Sequence, residues 1–176
     1  IRRERSNTMS NLLVQNIKHT NNTTAMTVDS TGRILTPARP SWFAYTTSHV
    51  ESTGDIVFDT AVYNVGSHYN TSNGRFTAPI TGVYMIAFKC LITTPNNSTS
   101  VKLYIDGNQY AGTSQEVANM GTYGKLAGQS AGYYVGQGGT VLVQMTAGEY
   151  ATMYATIAGD ADLHSGYTSW SGCLLG

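Results

Sequence analysis

Residues 70–88 read "NTSNGRFTAPITGVYMIAF", and the order of turn signals and apolar residues in this stretch decides the fold. Asn73-Gly74 can supply the positive φ that a type I′ turn needs at both central positions. Pro79 has no N–H for a ladder, so it marks a corner or an edge. Gly82 then opens Val83-Tyr84-Met85-Ile86-Ala87-Phe88, a β-branched and aromatic run. The stretch therefore predicts a turn, a short strand, a corner and a long buried strand.

The same grammar extends in both directions. Apolar runs recur between turn signals at Trp42 to Tyr45, Ile56 to Tyr63, Val101 to Ile105, Gln109 to Gly112, Tyr133 to Val135, Val141 to Met145, Tyr150 to Ile157 and Tyr167 to Leu175. "YIDGNQY" reads as a hairpin by its Asp-Gly pair. Only Glu116 to Met120 hints at a helical period, so helices are minor at best. Many short strands with Gly/Asn turns predict an all-β sandwich or jelly roll. Upstream, residues 1–40 are Asn/Thr-rich and end in "TPARP". They hold two strand candidates, Leu12 to Ile17 and Ala25 to Leu35, the second folded back at Asp29-Ser30-Thr31-Gly32. Such a thin arm cannot bury a core alone, and it is expected to be disordered or packed against other chains. The expected division is an N-terminal extended attachment arm, 1–40, and a jelly-roll domain, 41–176.

Bulk composition narrows the partners. At 176 residues the chain has room for one core and an extension. Charged residues make up 11%, against roughly 25% in an average globular protein. Lys+Arg and Asp+Glu are 10 each, so no charge excess points to nucleic acid. No apolar run approaches the roughly 20 residues that span a bilayer, so no membrane insertion is expected. No secretory h-region follows "IRRERS", which reads as a chain made in the cytoplasm or as a fragment. Cys90 and Cys173 lie in apolar strand-like runs and read as buried thiols, with a cross-strand disulfide as the alternative.

One spacing is specific. Phe58, Asn64, Tyr69 and Phe76 precede Gly82-x-Tyr84-x-Ile86-x-Phe88 with five, four, six and five residues between successive positions. This pattern resembles the signature of the C1q globular domain, a relative of the tumour-necrosis-factor jelly roll. Ile86 stands where the family usually has Phe, a swap that keeps apolar bulk. "TSWSGCLL" (168–175) resembles the closing strand, with Trp170 for the usual Phe, and "SAGYYVGQGGTVLVQMTAGEYATMYA" resembles the strands before it. The resemblance covers about Pro40 to Gly176 and implies a ten-strand, two-sheet jelly roll that associates as a homotrimer. Tyr84, Ile86 and Phe88 share one face of their strand, and Val83, Met85 and Ala87 share the other. A sheet apolar on both sides needs a second cover. Trimer-interface and core residues are accordingly expected at Tyr84, Ile86, Phe88, Tyr134 and Trp170.

Sites of chemistry are sparse. Gly128-Gln129-Ser130-Ala131-Gly132 matches GxSxG, but that motif needs a strand-to-helix corner, and no helix is expected after Ser130. His164 with Asp160 or Asp162 follows only as part of a loop, so the chain is not expected to be an enzyme. His19, His49, His68 and His164 are scattered without ligand spacing. Some family members hold Ca²⁺ near the threefold axis with loop oxygens, and Glu116, Asp160 and Asp162 are hard ligands of that kind. "GDADLH" is short of carboxylates, so no cofactor is expected. Tyr110, Tyr123 and Tyr167 are the loop candidates for ligand contact, because Tyr offers area with few rotors.

The function implied by resemblance is binding. "TAMTVDSTGRILTPARPSWFAY" (24–45) resembles the short lead-ins that precede C1q-like domains in structural proteins of tailed phages, marine cyanophages above all. That reading expects a trimeric, non-enzymatic virion protein, a capsid decoration or a tail or fibre component. Residues 1–40 would attach to other virion proteins, and the head would contact a host-surface glycan or protein. The alternative is a secreted, extracellular recognition protein of innate-immune or lectin-like type. There the N-x-S/T sequons at Asn21, Asn22, Asn70, Asn96 and Asn97 would be glycosylation sites.

Overall fold

A computed structural model describes residues 14–93, 99–106, 115–123 and 134–176, with residues 106 and 115–123 as backbone only. The chain divides into two compact units, residues 1–38 and 39–176. In the first, β1 (Asn16–Lys18), β2 (Thr24–Val28) and β3 (Ile34–Leu35) form an antiparallel meander. Asp29 closes its second turn by accepting from the Thr31 and Arg33 amides, each at 2.9 Å, and from Arg33 Nε at 2.6 Å. Led by the Arg33 amide, these donors lower the Asp29 pKa to about 2.

Among the described residues the second unit is built only of strands. They are β4 (Ser41–Tyr45), β5 (Gly54–Asp55), β6 (Thr60–Val65), β7 (Tyr69–Asn70), β8 (Arg75–Thr77), β9 (Gly82–Thr93), β10 (Thr99–Asp106), β11 (Gln115–Tyr123), β12 (Tyr134–Met145), β13 (Tyr150–Thr156), β14 (Asp162–Leu163) and β15 (Ser169–Leu174). One sheet runs β11-β10-β13-β8-β7, with β5 also paired to β13. The other runs β12-β9-β15-β4-β6, with β14 also paired to β9. All pairings are antiparallel, the jelly-roll sandwich expected. The short pairings β5, β7 and β14 take the described strands past ten.

Several local expectations are corrected. Glu116 to Met120 lies in strand β11, since its register against β10 outweighs a weak helical period. Asn73-Gly74 is not a type I′ turn: Gly74 has positive φ (71°) but Asn73 does not. The loop spans residues 71–74, and the Gly74 amide closes it on the Asn70 carbonyl at 3.0 Å. A Cβ on Gly74 would also collide with the Ile56 carbonyl oxygen. The described part of the run Tyr133 to Val135, from Tyr134, and the run Val141 to Met145 belong to one strand, β12, because β9 pairs along its whole length and carries it through Gly136, Gly138 and Gly139. The run Ile56 to Tyr63 is split: β6 begins at Thr60, while Ile56 and Phe58 are buried outside regular strands. The turn of "YIDGNQY" and the run Gln109 to Gly112 lie outside the described residues. Ile105 pairs with Gln115.

The signature residues turn out to be one interlocked cluster. The Asn64 amide donates to the Tyr69 carbonyl at 2.7 Å and accepts from the Tyr69 N–H at 3.1 Å. The Tyr69 hydroxyl donates to the Phe58 carbonyl at 2.7 Å, and the Tyr84 hydroxyl to the Ile80 carbonyl at 2.8 Å. Phe58 stacks on Trp170 at 5.4 Å, and Tyr69 meets Trp170 edge-on at 5.4 Å. Trp42 stacks on Phe76 at 3.8 Å and meets Trp170 edge-on at 5.2 Å. These rings tie the two sheets together. Gly172 makes room for them: a Cβ there would collide with the Trp42 indole.

Burial raises the pKa of the Tyr69 phenol, and of the Tyr84 phenol in the same direction. A phenol whose folded pKa lies above the unfolded value contributes stability that is whole below about pH 10 and fades as pH rises beyond it. Tyr69→Phe leaves the Phe58 carbonyl without this donor and should cost about 1–3 kcal/mol in denaturant unfolding near neutral pH. The same variant should flatten the alkaline loss of stability, read as the unfolding midpoint followed upward from pH 8.

Candidate functional site

The second sheet has an unusual outer face. Along β9, Tyr84, Ile86, Phe88, Cys90 and Ile92 point inward and are buried, while Val83, Met85, Ala87, Lys89 and Leu91 point outward. Register carries that face across the neighbouring strands. One row runs Tyr63, Phe43, Ser171, Ala87, Thr140, and the next runs Val65, Ser41, Cys173, Met85, Leu142. Tyr63 is 48% exposed, Val83 37%, Met85 36% and Leu142 61%. Over β4, β6, β9, β12 and β15, Lys89 is the one charged residue. The opposite sheet differs, with a row of Asp55, Tyr154 and Lys102 and with Arg75 lying 4.0 Å over the Tyr150 ring.

Small residues cut two depressions into this face. Gly136 lies opposite Leu91 and Gly138 opposite Lys89. With Tyr167 as a wall they enclose a hollow of about 470 Å³. On the other side of Lys89, a second hollow of about 240 Å³ opens between Phe43 and Ala87 over Ser169 and Ser171. The two glycines are not equivalent. A Cβ on Gly138 would come within 2.7 Å of the Phe88 carbonyl oxygen, whereas a Cβ on Gly136 meets nothing within 4 Å.

At one end of the sheet the fold gathers residues distant in sequence. His49 Nδ1 lies 2.9 Å from an Asp162 carboxylate oxygen. The His49 ring is 4.4 Å from that of His164, which in turn faces Tyr167 at 5.2 Å and Tyr134 at 5.9 Å. His164 Nδ1 donates to the Ser165 carbonyl at 2.8 Å. Spacing in the sequence did not bring these histidines together; only the Val50–Leu163 bridge beneath them does. Among the described residues no group of three or more His, Cys, Asp and Glu is placed to hold a metal.

The candidates fall in different places. Tyr84, Ile86, Phe88 and Trp170 sit in the core of a single chain, so they shape the sheet but are not on its outer face. Tyr134 and Tyr167 are 59% and 56% exposed. Tyr110 and Ser130 lie outside the described residues, and Tyr123 and Glu116 are described as backbone in β11. Asp160 is exposed and Asp162 is taken by His49. Cys90 faces inward and Cys173 outward, and no bridge joins them. The residues missed from sequence are Phe43, Tyr63 and Leu142. Their alternation with Trp42, Asn64 and Val143 was the signal that could have found them.

Two antiparallel sheets in this order, closed around a Trp/Phe/Tyr core, define a jelly-roll module. The C1q domain family matches residues 42–172, and the chain belongs to that family. Complement C1q tumor necrosis factor-related protein 7 of Mus musculus is 30% identical over 88 residues, which cover 50% of this chain and 29% of that protein. The chain thus matches under a third of that relative's length. The Eiger TNF structure from S. frugiperda superposes with a TM-score of 0.65 at 9% identity, covering 79% of this chain and 94% of that one. The globular domain of zebrafish complement 1qA protein does so with a TM-score of 0.56 at 14% identity, covering 78% and 98%. These two likenesses establish the fold.

Gly138→Ala should lower stability by about 1–3 kcal/mol, the usual cost of overpacking against a fixed backbone. Gly136→Ala should leave thermal unfolding near that of the parent chain. The two melts, recorded side by side, check the close approach of β12 to β9.

Proposed function

We propose that this chain is a homotrimeric, non-enzymatic recognition module that works outside a cell, its copies packed through the outer face of the β12-β9-β15-β4-β6 sheet. One observation carries the reading: that face holds a single charge over five strands and leaves Tyr63, Val83, Met85 and Leu142 exposed. Depletion of charge with retained aromatics and Met is the composition of an interface core. The two hollows flanking Lys89 give the partner's side chains somewhere to sit. Three identical heads raise weak contacts by avidity, and Tyr110, Tyr123 and Tyr167 are the proposed contacts with a glycan or protein ligand.

The likeness to the mouse C1q/TNF-related protein supports a secreted setting for the trimer. A second reading, a virion protein attached through residues 1–40, is favoured only by the lead-in at residues 24–45. Intact mass of the protein from its native source separates them. Glycans on the exposed Asn21, Asn22 or Asn70 favour secretion, whereas a bare polypeptide found in purified particles by antibody labelling favours the virion.

Light scattering should report three times the 18.9 kDa chain mass. Met85→Asp combined with Leu142→Asp puts carboxylates into the seam and should yield single chains that keep their strand signal by circular dichroism. A parent protein that scatters as a single chain at micromolar concentration would refute the trimer.

A further inference from the structure

The first unit leaves one face of its sheet uncovered. Ile17 pairs with Met26, and Val28 with Ile34, so these four side chains share a face. Asn16, Thr27 and Leu35 occupy the other, where the Thr27 hydroxyl donates to Asn16 Oδ1 at 2.7 Å. On the apolar side Ile17 is 49% and Ile34 64% exposed. Strands of three, five and two residues are too small a sheet to be stable with its apolar face in water. We infer that this face packs against the same face of the other two copies of the chain, making a second, smaller threefold layer built of three meanders.

Charge and tethering argue for copies of the same chain as the occupant. None of the four residues is charged, so identical faces meet without like-charge repulsion, while the Asp29–Arg33 pair belongs to the turn beyond them. Four apolar side chains fall far short of the roughly 1,000 Å² that a free-standing interface needs. Sheets this small stay together only when something else holds them close. The inference therefore rests on the trimer proposed above. Residues 36–40 alone separate β3 from β4, a tether that reaches at most about 18 Å. Three such tethers on one trimer place the meanders at millimolar effective concentration. The Pro37 and Pro40 rings also stiffen the connection.

The test uses the full chain carrying Cys173→Ser, in which Cys90 is buried against reagents. Met26→Cys is treated with a short bis-maleimide after light scattering has fixed the mass. The expected result is a three-chain mass with covalently linked dimers on a denaturing gel, since one thiol per chain lets the reagent join two chains of each three, and little linking for Asn16→Cys on the opposite face. Hydrogen exchange gives a second measure that needs no reactive thiol. Ile17→Asp with Ile34→Asp should speed exchange of the Val28 amide, which donates to the Gln15 carbonyl at 2.8 Å, by about tenfold or more while the three-chain mass persists. A three-chain mass with Met26→Cys unlinked between chains overturns the meander layer but leaves the trimer standing. A single-chain mass removes both.

Discussion

The fold depends on how two tryptophans are seated between the sheets. Trp42 and Trp170 both project inward from the second sheet, and the rings of Phe76 and Tyr69 come from the first to meet them. Their packing needs a gap in the strand that carries Trp170, and Gly172 leaves it. Each aromatic pair contributes about 0.5–1.5 kcal/mol beyond the area it buries. The larger effect is geometric, because interlocked rings allow one spacing and one register between the sheets. The Tyr69 hydroxyl extends this order to the irregular segment around Phe58 by holding its carbonyl. A stretch without strand pairing of its own thus becomes part of the core.

With the inner face of β9 committed to that cluster, the outer face has no partner within its own sheet pair. In a wet antiparallel sheet the outer residues would be polar and charged. The first sheet approaches this, with Asp55, Arg75 and Lys102 on its outer side. The second sheet instead presents Phe43, Tyr63, Met85 and Leu142 around a lone Lys89. Small residues at 136, 138, 169 and 171 roughen it into hollows. A similar contrast reappears on a smaller scale in residues 16–35, where one face of a meander carries Ile17, Met26, Val28 and Ile34 and the other Asn16, Thr27 and Leu35. The larger face holds the single charge of Lys89 and the smaller apolar face none, as the proposed association of like with like requires.

Much of this was legible beforehand because it is local. Period-two alternation in residues 83–88, the corner at Pro79 and the spacing of Phe58, Asn64, Tyr69 and Phe76 each follow from chain geometry over a few residues. The errors arose where a distant partner overrode local preference. Pairing with β9 drew β12 through a glycine-rich segment that looks like a break. Pairing with β10 held Glu116 to Met120 extended. Asn73-Gly74 suggests a two-residue turn, but the loop closes through the Gly74 amide on the Asn70 carbonyl, with Gly74 lying against the distant Ile56 carbonyl where a Cβ has no room.

By itself the sequence determined the fold class and the identity of the core aromatics, since burial follows from side-chain type and strand parity. It also determined that the second sheet would be apolar on both sides, which is the root of the proposed trimer. Tertiary structure alone decided which rows of side chains form the outer surface, because register across five strands is set by pairing between segments far apart in the chain. It alone brought His49 to Asp162 and His164, and hollowed the surface beside Lys89. Those arrangements arise from the closing of long loops, and no window of a few residues contains them.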